Sequence, residues 1–156
     1  MKQRIPTNKH VPAKGRLREI ADDLWSLAVR SDWAGKCAVC GARKCEAHHI
    51  IPRQHQAMRY DLKNGIALCA PCHKFNKDIS PHQNAAGWLM WLLEDQPLRY
   101  LWYMEMVASG DHKRFEGTTN ATYYCDVIRG LKEYVEEEDY TRIVGKRFSN
   151  YLDSQE

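Results

Sequence analysis

The stretch CAVCGARKCEAHHIIPRQHQAMRYDLKNGIALCAPCHKFNK, Cys37 to Lys77, decides how this chain is read. It holds four of the six cysteines as two Cys-x-x-Cys pairs, Cys37/Cys40 and Cys69/Cys72, which together read C-x2-C-x28-C-x2-C. A two-residue spacer lets both sulfurs of one tight turn reach a single ion, and Gly41 lets the backbone turn beneath it. The set predicts a structural Zn2+ ion on four thiolates, stapling two distant segments. Such an ion supplies ~10–16 kcal/mol of folding free energy in small zinc domains. Four thiolates complete its tetrahedron, so it has no open position for chemistry. Cys45 and Cys125 lack a partner spacing and read as small buried residues. Cys45 lies close enough in sequence to stand as an alternative ligand.

The same stretch holds His48, His49 and His73. Residues 43–51 read as a strand ending at Pro52. Asn64-Gly65 is a turn signal, residues 66–69 a short apolar strand, and Pro71 suits the first turn of a helix. The zinc staple then brings the strand histidines toward His73. With the zinc closed, catalysis needs a second metal. One histidine on the strand and one on the helix are placed to grip a divalent ion and leave positions open for water and phosphate. The neighbouring histidine is left to take a proton from an attacking water, a task suited to an imidazole pKa of ~6.5. On a regular strand, however, His48 and His49 point to opposite faces. Both serve one centre only if the strand is irregular there or the substrate straddles it. His10, His82 and His112 belong to no such constellation.

The pieces CAVC, EAHHIIP, NGIALC and CH resemble, in order and spacing, the HNH endonuclease motif, a ββα-metal nuclease core, in its four-cysteine zinc form. The resemblance covers about a quarter of the chain. It implies a two-stranded hairpin and a helix around one catalytic divalent metal (Mg2+, Mn2+, Ni2+ or Zn2+). By position, His49 resembles the general base, His48 and His73 the metal ligands, and Asn64 the central Asn whose side chain ties down the loop and holds the base. Some members carry a third histidine ligand one helical turn after the last. That position is Lys77 here, which implies two histidines plus waters. Arg53, Arg59, Lys63, Lys74 and Lys77 surround the site in sequence and are candidate contacts to DNA phosphates.

Outside this stretch, residues 1–15 read as a basic arm, a phosphate contact or a simple disordered terminus. Residues 16–30 space Leu17, Ile20, Ala21, Leu24, Leu27 and Ala28 as one face of a helix. From residue 80 the pattern is helical: a first helix capped at Ser80-Pro81, a second opened by Pro97, a third over about 120–137 and a fourth over about 140–152. The fold class expected is therefore α+β, mostly helical. A small zinc-stapled ββα-metal core spans 16–79 with its N-terminal helix, and a helical extension spans 80–156.

Charge divides the chain unevenly. Residues 1–77 carry 15 Lys and Arg against 6 Asp and Glu; residues 78–156 carry 8 against 14. A basic half beside candidate metal ligands suggests a polyanion partner, DNA in the simplest case. No apolar run approaches the ~18 residues of a membrane span, and the basic N-terminus has no apolar signal core. The chain reads as cytoplasmic (in a bacterial host cell if phage-encoded), with no membrane partner. Thiols stay reduced there, which favours metal over disulfides. Two readings compete: a metal-dependent endonuclease hydrolysing DNA phosphodiester bonds, and a non-catalytic zinc-stapled nucleic-acid-binding module. In a third, the helical half docks a homo-oligomeric, phage or bacterial protein partner, which an exposed aromatic patch over 85–108 would support.

Overall fold

The computed structural model describes residues 9–155, so most of the arm expected over 1–15 lies outside the described residues. Eight regular elements follow in order: α1 (Lys14–Asp32), β1 (Cys45–His49), β2 (Gly65–Cys69), α2 (Ala85–Asp95), α3 (Pro97–Ser109), α4 (Ala121–Leu131), α5 (Glu137–Val144) and α6 (Lys146–Asp153). The expected class holds: a mostly helical chain around one small antiparallel hairpin. Two compact units result, one of residues 25–116 and one joining 1–24 to 117–156. The expected segments divide the chain differently. Residues 80–116 fall in one unit with the cysteine–histidine stretch, and α1 gives its first part to one unit and its last to the other.

In the unit of residues 25–116, β1 and β2 pair from Cys45↔Cys69 to His49↔Gly65. Every residue of β2 is buried. Its apolar side chains Ile66 and Leu68 join Cys37, Ile50, Trp88 and Leu92 in one core, so α2 is the second layer over the hairpin. Asn84 caps α2, its Oδ1 accepting from the Gly87 N–H at 2.9 Å, and Pro97 opens α3. The start expected at Ser80-Pro81 is displaced to Ala85 because residues 76–84 are taken up in a hydrogen-bonded loop.

The Asn64-Gly65 pair is not a hairpin turn. Asn64 ends a short helical turn (Leu62–Asn64) and is buried, while Gly65 is extended and opens β2. Glycine is required there by close approach, since a β-carbon would run into the Val29 side chain and crowd Trp25 of α1. The helix expected from Pro71 is one wide turn, Pro71–Phe75, closed by the Asn76 N–H on the Pro71 carbonyl at 2.9 Å.

The other unit buries Leu17, Ile20, Ala21 and Leu24 of α1 with Ile128, Tyr140, Val144, Phe148 and Leu152. The two helices expected over 120–152 are three. The first ends near Leu131, and Gly145, at φ +86°, separates α5 from α6. On α2 and α3 the exposed apolar residues are aliphatic rather than aromatic: Met90, Leu93, Leu98, Leu101, Met104 and Val107. No described helix is long and apolar enough to cross a membrane.

Replacing Gly65 by Ala is expected to destabilise the protein by about 1–3 kcal/mol, because β2 and α1 must separate to admit the methyl group. A urea midpoint equal to that of the wild type would show that the contact has slack.

Candidate metal centres and active site

The first centre is built by two turns that β2 holds together. Cys37 and Cys40 lie in a tight turn closed by the Gly41 N–H on the Cys37 carbonyl, with Gly41 at φ +74°. The Ala38 N–H bonds the Ala67 carbonyl at 2.9 Å and fixes that turn to β2. Cys69 ends β2, and Cys72 sits in the wide turn that follows. The four sulfurs lie within 4.8 Å of one another, with Cys40 and Cys69 at 3.5 Å. Thiolates ~2.3 Å from one tetrahedral ion stand a little under 4 Å apart, so the set fits zinc. Burial pushes the Cys69 and Cys72 thiols up. Burial also opposes the Cys37 thiolate, but N–H donors of Cys69, Cys40 and Val39 outweigh it and bring that thiol down to about 7. A metal ion held by these four cysteines would supply the positive charge the remaining thiolates need. Cys45 is set apart, its Sγ on the Ala42 carbonyl at 3.2 Å.

The second cluster is His48, His73 and His82, whose ring nitrogens also lie within 4.8 Å of one another. His48 Nδ1 is 2.9 Å and His82 Nε2 3.1 Å from His73 Nε2. Nitrogens ~2.0–2.1 Å from a common ion stand about 3 Å apart, so the spacing suits a divalent metal. Glu46, two residues before His48 on the same face of β1, places Oε2 3.0 Å from His73 Nδ1. A carboxylate accepts, so Nδ1 carries the proton and Nε2 presents its lone pair to the cluster. Lys74, beside His73, pairs with the same carboxylate at 2.8 Å, and this pair and His73 hold the Glu46 carboxyl below its ordinary range. Burial above all, then the charges of His73, His82 and His49, lowers His48 to about 3. Burial also lowers His73. Both rings are therefore neutral at neutral pH, as metal ligation requires.

His82 corrects the sequence reading, which set it aside and expected two histidines with Lys77 at the third position. The wide turn ends at Phe75, so Lys77 is not one helical turn beyond His73. The loop folds back instead. Ser80 donates its hydroxyl to the His73 carbonyl at 2.6 Å and accepts the His82 N–H at 3.2 Å. Asn84 donates to the Asp78 carbonyl, and a β-carbon at Gly87 would collide with that same carbonyl. Nothing in the local sequence announces this return, because its bonds are made by Ser and Asn to backbone.

His49 faces the other way, as strand alternation requires, and the pairing stays regular through it. Its ring stacks on Trp25 with centroids 3.8 Å apart and planes 11° from parallel. Its Nε2 is 2.9 Å from the Arg59 carbonyl, which only accepts, so Nε2 donates and the neutral ring carries its lone pair at Nδ1. Asn64 closes the neck of the loop that presents Arg59. Its Oδ1 accepts the Ile51 N–H, and its Nδ2 donates to the Ile51 carbonyl at 2.9 Å and the Met58 carbonyl at 3.0 Å. Arg99 of α3 grips the same neck from outside, donating to the carbonyls of Leu62, Lys63 and Gly65 while pairing with Asp32 at 2.9 Å. Trp25, Glu46 and Arg99 were not singled out by sequence. Only Glu46 left a signal, its i, i+2 spacing from His48.

The candidate phosphate contacts differ in their surroundings. Arg53, Lys63 and Lys77 are exposed. Lys74 is held by Glu46, and Arg59 donates to the Tyr60 hydroxyl and the Arg53 carbonyl.

Cys40→Ser or Cys69→Ser is expected to abolish tight retention of one zinc and to unfold the unit of residues 25–116; a folded, zinc-free variant by circular dichroism and metal analysis would contradict the staple. In calorimetric titration of zinc-stapled protein with Ni2+, Glu46→Gln should weaken the histidine centre about 10–100-fold. His82→Ala should weaken it further, and wild-type affinity in that variant would remove His82 from the ligand set.

None of the curated proteins and none of the solved structures compared matches this chain. A family model does match, the one described as HNH endonuclease, over residues 37–78. The matched span holds both cysteine pairs, His48, His49, Asn64 and His73, and it stops short of His82. Residues 37–78, with the cysteine cluster and the hairpin in place, thus match the HNH endonuclease family model.

Proposed function

We propose that the protein is a metal-dependent endonuclease that hydrolyses DNA phosphodiester bonds. The observation that carries this reading is the pair of opposed faces on β1. Three imidazoles converge on one face, and a histidine with its lone pair fixed at Nδ1 lies on the other. A purely binding module has no use for either. Three protein ligands leave coordination positions open, unlike the four-thiolate centre.

The phosphodiester straddles the end of β1, between these faces. A divalent ion held by His48, His73 and His82 would supply Lewis-acid polarisation of the phosphate and stabilise charge on the leaving oxygen. His49 Nδ1 takes a proton from water as the water oxygen bonds to phosphorus and the bond to the leaving oxygen breaks. The Arg59 carbonyl keeps the proton of the other ring nitrogen in place, so the base presents one tautomer. Trp25 lies flat against the ring and stabilises the imidazolium that forms, by cation–π attraction. Asn64 and Arg99 hold the loop that carries the Arg59 carbonyl. Exposed Arg53, Lys63 and Lys77 are left to neutralise neighbouring phosphates.

The test is plasmid nicking with Mg2+, Mn2+, Ni2+ or Zn2+. His49→Ala is expected to lose about 10²–10⁴-fold in rate while keeping both metals and DNA binding. Equal rates would sink the assigned base. A wild type that binds DNA and cuts with none of these metals would leave the non-catalytic module as the reading.

A further inference from the structure

The unit joining 1–24 to 117–156 has a basic cavity that the nuclease reading does not use. It is about 400 Å³ and is lined by Lys9, His10 and Pro12 before α1, by Gly145, and by Lys146 and Arg147 at the start of α6, with Val11, Val144 and Phe148 as its apolar part. No carboxylate lines it. The His10 ring stacks on Tyr151, with centroids 5.8 Å apart and planes 8° from parallel, which fixes one wall.

Of the six other described Lys and Arg of this unit, Lys14 and Arg18 have no carboxylate within 4.0 Å and four are paired. Arg16 pairs with Glu19, Arg129 with Asp126, Lys132 with Asp153 and Arg142 with Asp139, all at 3.1 Å or less. Among the described residues, Lys9, Lys146 and Arg147 have no carboxylate within 4.0 Å. Lys146 and Arg147 moreover occupy the first two positions of α6, where the helix dipole disfavours positive charge. Like charges gathered around one concavity, against the dipole and without counter-charge, oppose stability unless an anion joins them.

We propose that this cavity binds the phosphodiester backbone of DNA, as a contact separate from the HNH domain. The choice of DNA rests on the nuclease reading of the other unit; the need for an anion rests on the cavity itself. Arg147 offers a planar fork for two phosphate oxygens, and Lys146 and Lys9 offer compact charges. None of these groups reads a base edge, so the contact holds DNA without regard to sequence.

The experiment measures binding of a fluorescein-labelled DNA duplex over a range of salt, in the full chain carrying His49→Ala so that the DNA stays whole. Adding Lys146→Ala and Arg147→Ala should weaken binding about tenfold near 0.1 M salt and make the slope of log K against log salt shallower by ~1.8, two phosphates at ~0.9 each. Removing these charges relieves the helix dipole, so the variant is expected to fold; circular dichroism checks this. Arg129→Ala with Arg142→Ala, the same change in net charge at paired cations, should leave the slope unaltered. Unchanged affinity in the first variant, an equal loss in the second, or no binding by the parent at any salt overturns the proposal. The nuclease reading fails separately, by absence of cutting in the protein with His49 intact.

Discussion

Four sulfurs gathered closely enough to share one ion tie together the segments that carry the histidines of the hairpin unit. Cys69 and Cys72 belong to the end of β2 and the turn after it, so the thiolates fix where His73, the next residue, points. Cys37 and Cys40 are bound to β2 through the Ala38–Ala67 hydrogen bond, so the zinc turn and the hairpin move as one body. The hairpin is short, and two strands alone are marginal in water. A zinc ion on the four cysteines would add to the rigidity that its apolar core of Ile66, Leu68, Trp88 and Leu92 provides.

On that frame, strand alternation becomes a way of separating two kinds of imidazole. On the face of His48, burial and neighbouring rings keep the half-buried imidazole neutral, with His82 beside it exposed to solvent. The face of His49 has an indole beneath the ring and a carbonyl at its edge. Adjacent residues thus receive opposite surroundings without any irregularity in the backbone. Asn64 and Arg99 act at the neck of the intervening loop, one from within and one from without, and the Arg59 carbonyl depends on both.

Much of this was legible in the sequence because it lies in short-range spacing. Two Cys-x-x-Cys pairs, a doublet of histidines and a later Cys-His announce themselves, and strand periodicity already placed His48 and His49 on opposite faces. The Asn-Gly pair misled, since the same dipeptide that signals a tight turn here serves burial at Asn64 and close approach at Gly65. His82 was not legible. Its arrival depends on Ser80, Asn84 and Gly87 bonding or clearing backbone groups, and such bonds leave no period. The break at Gly145 was likewise hidden within an apolar pattern that runs through both α5 and α6.

The place of His82 sets a limit on what can be moved. The family match ends at residue 78, and the third imidazole comes from a loop braced against α2. A graft cut at the borders of the motif would carry the four cysteines, His48, His49 and His73 into a new host and leave His82 behind. Such a chimera would also lose Trp88 and Leu92 from the core over the hairpin. The smallest transplantable unit is therefore the motif together with its loop and the first turns of α2, whose Gly87 and Asn84 keep that loop in register.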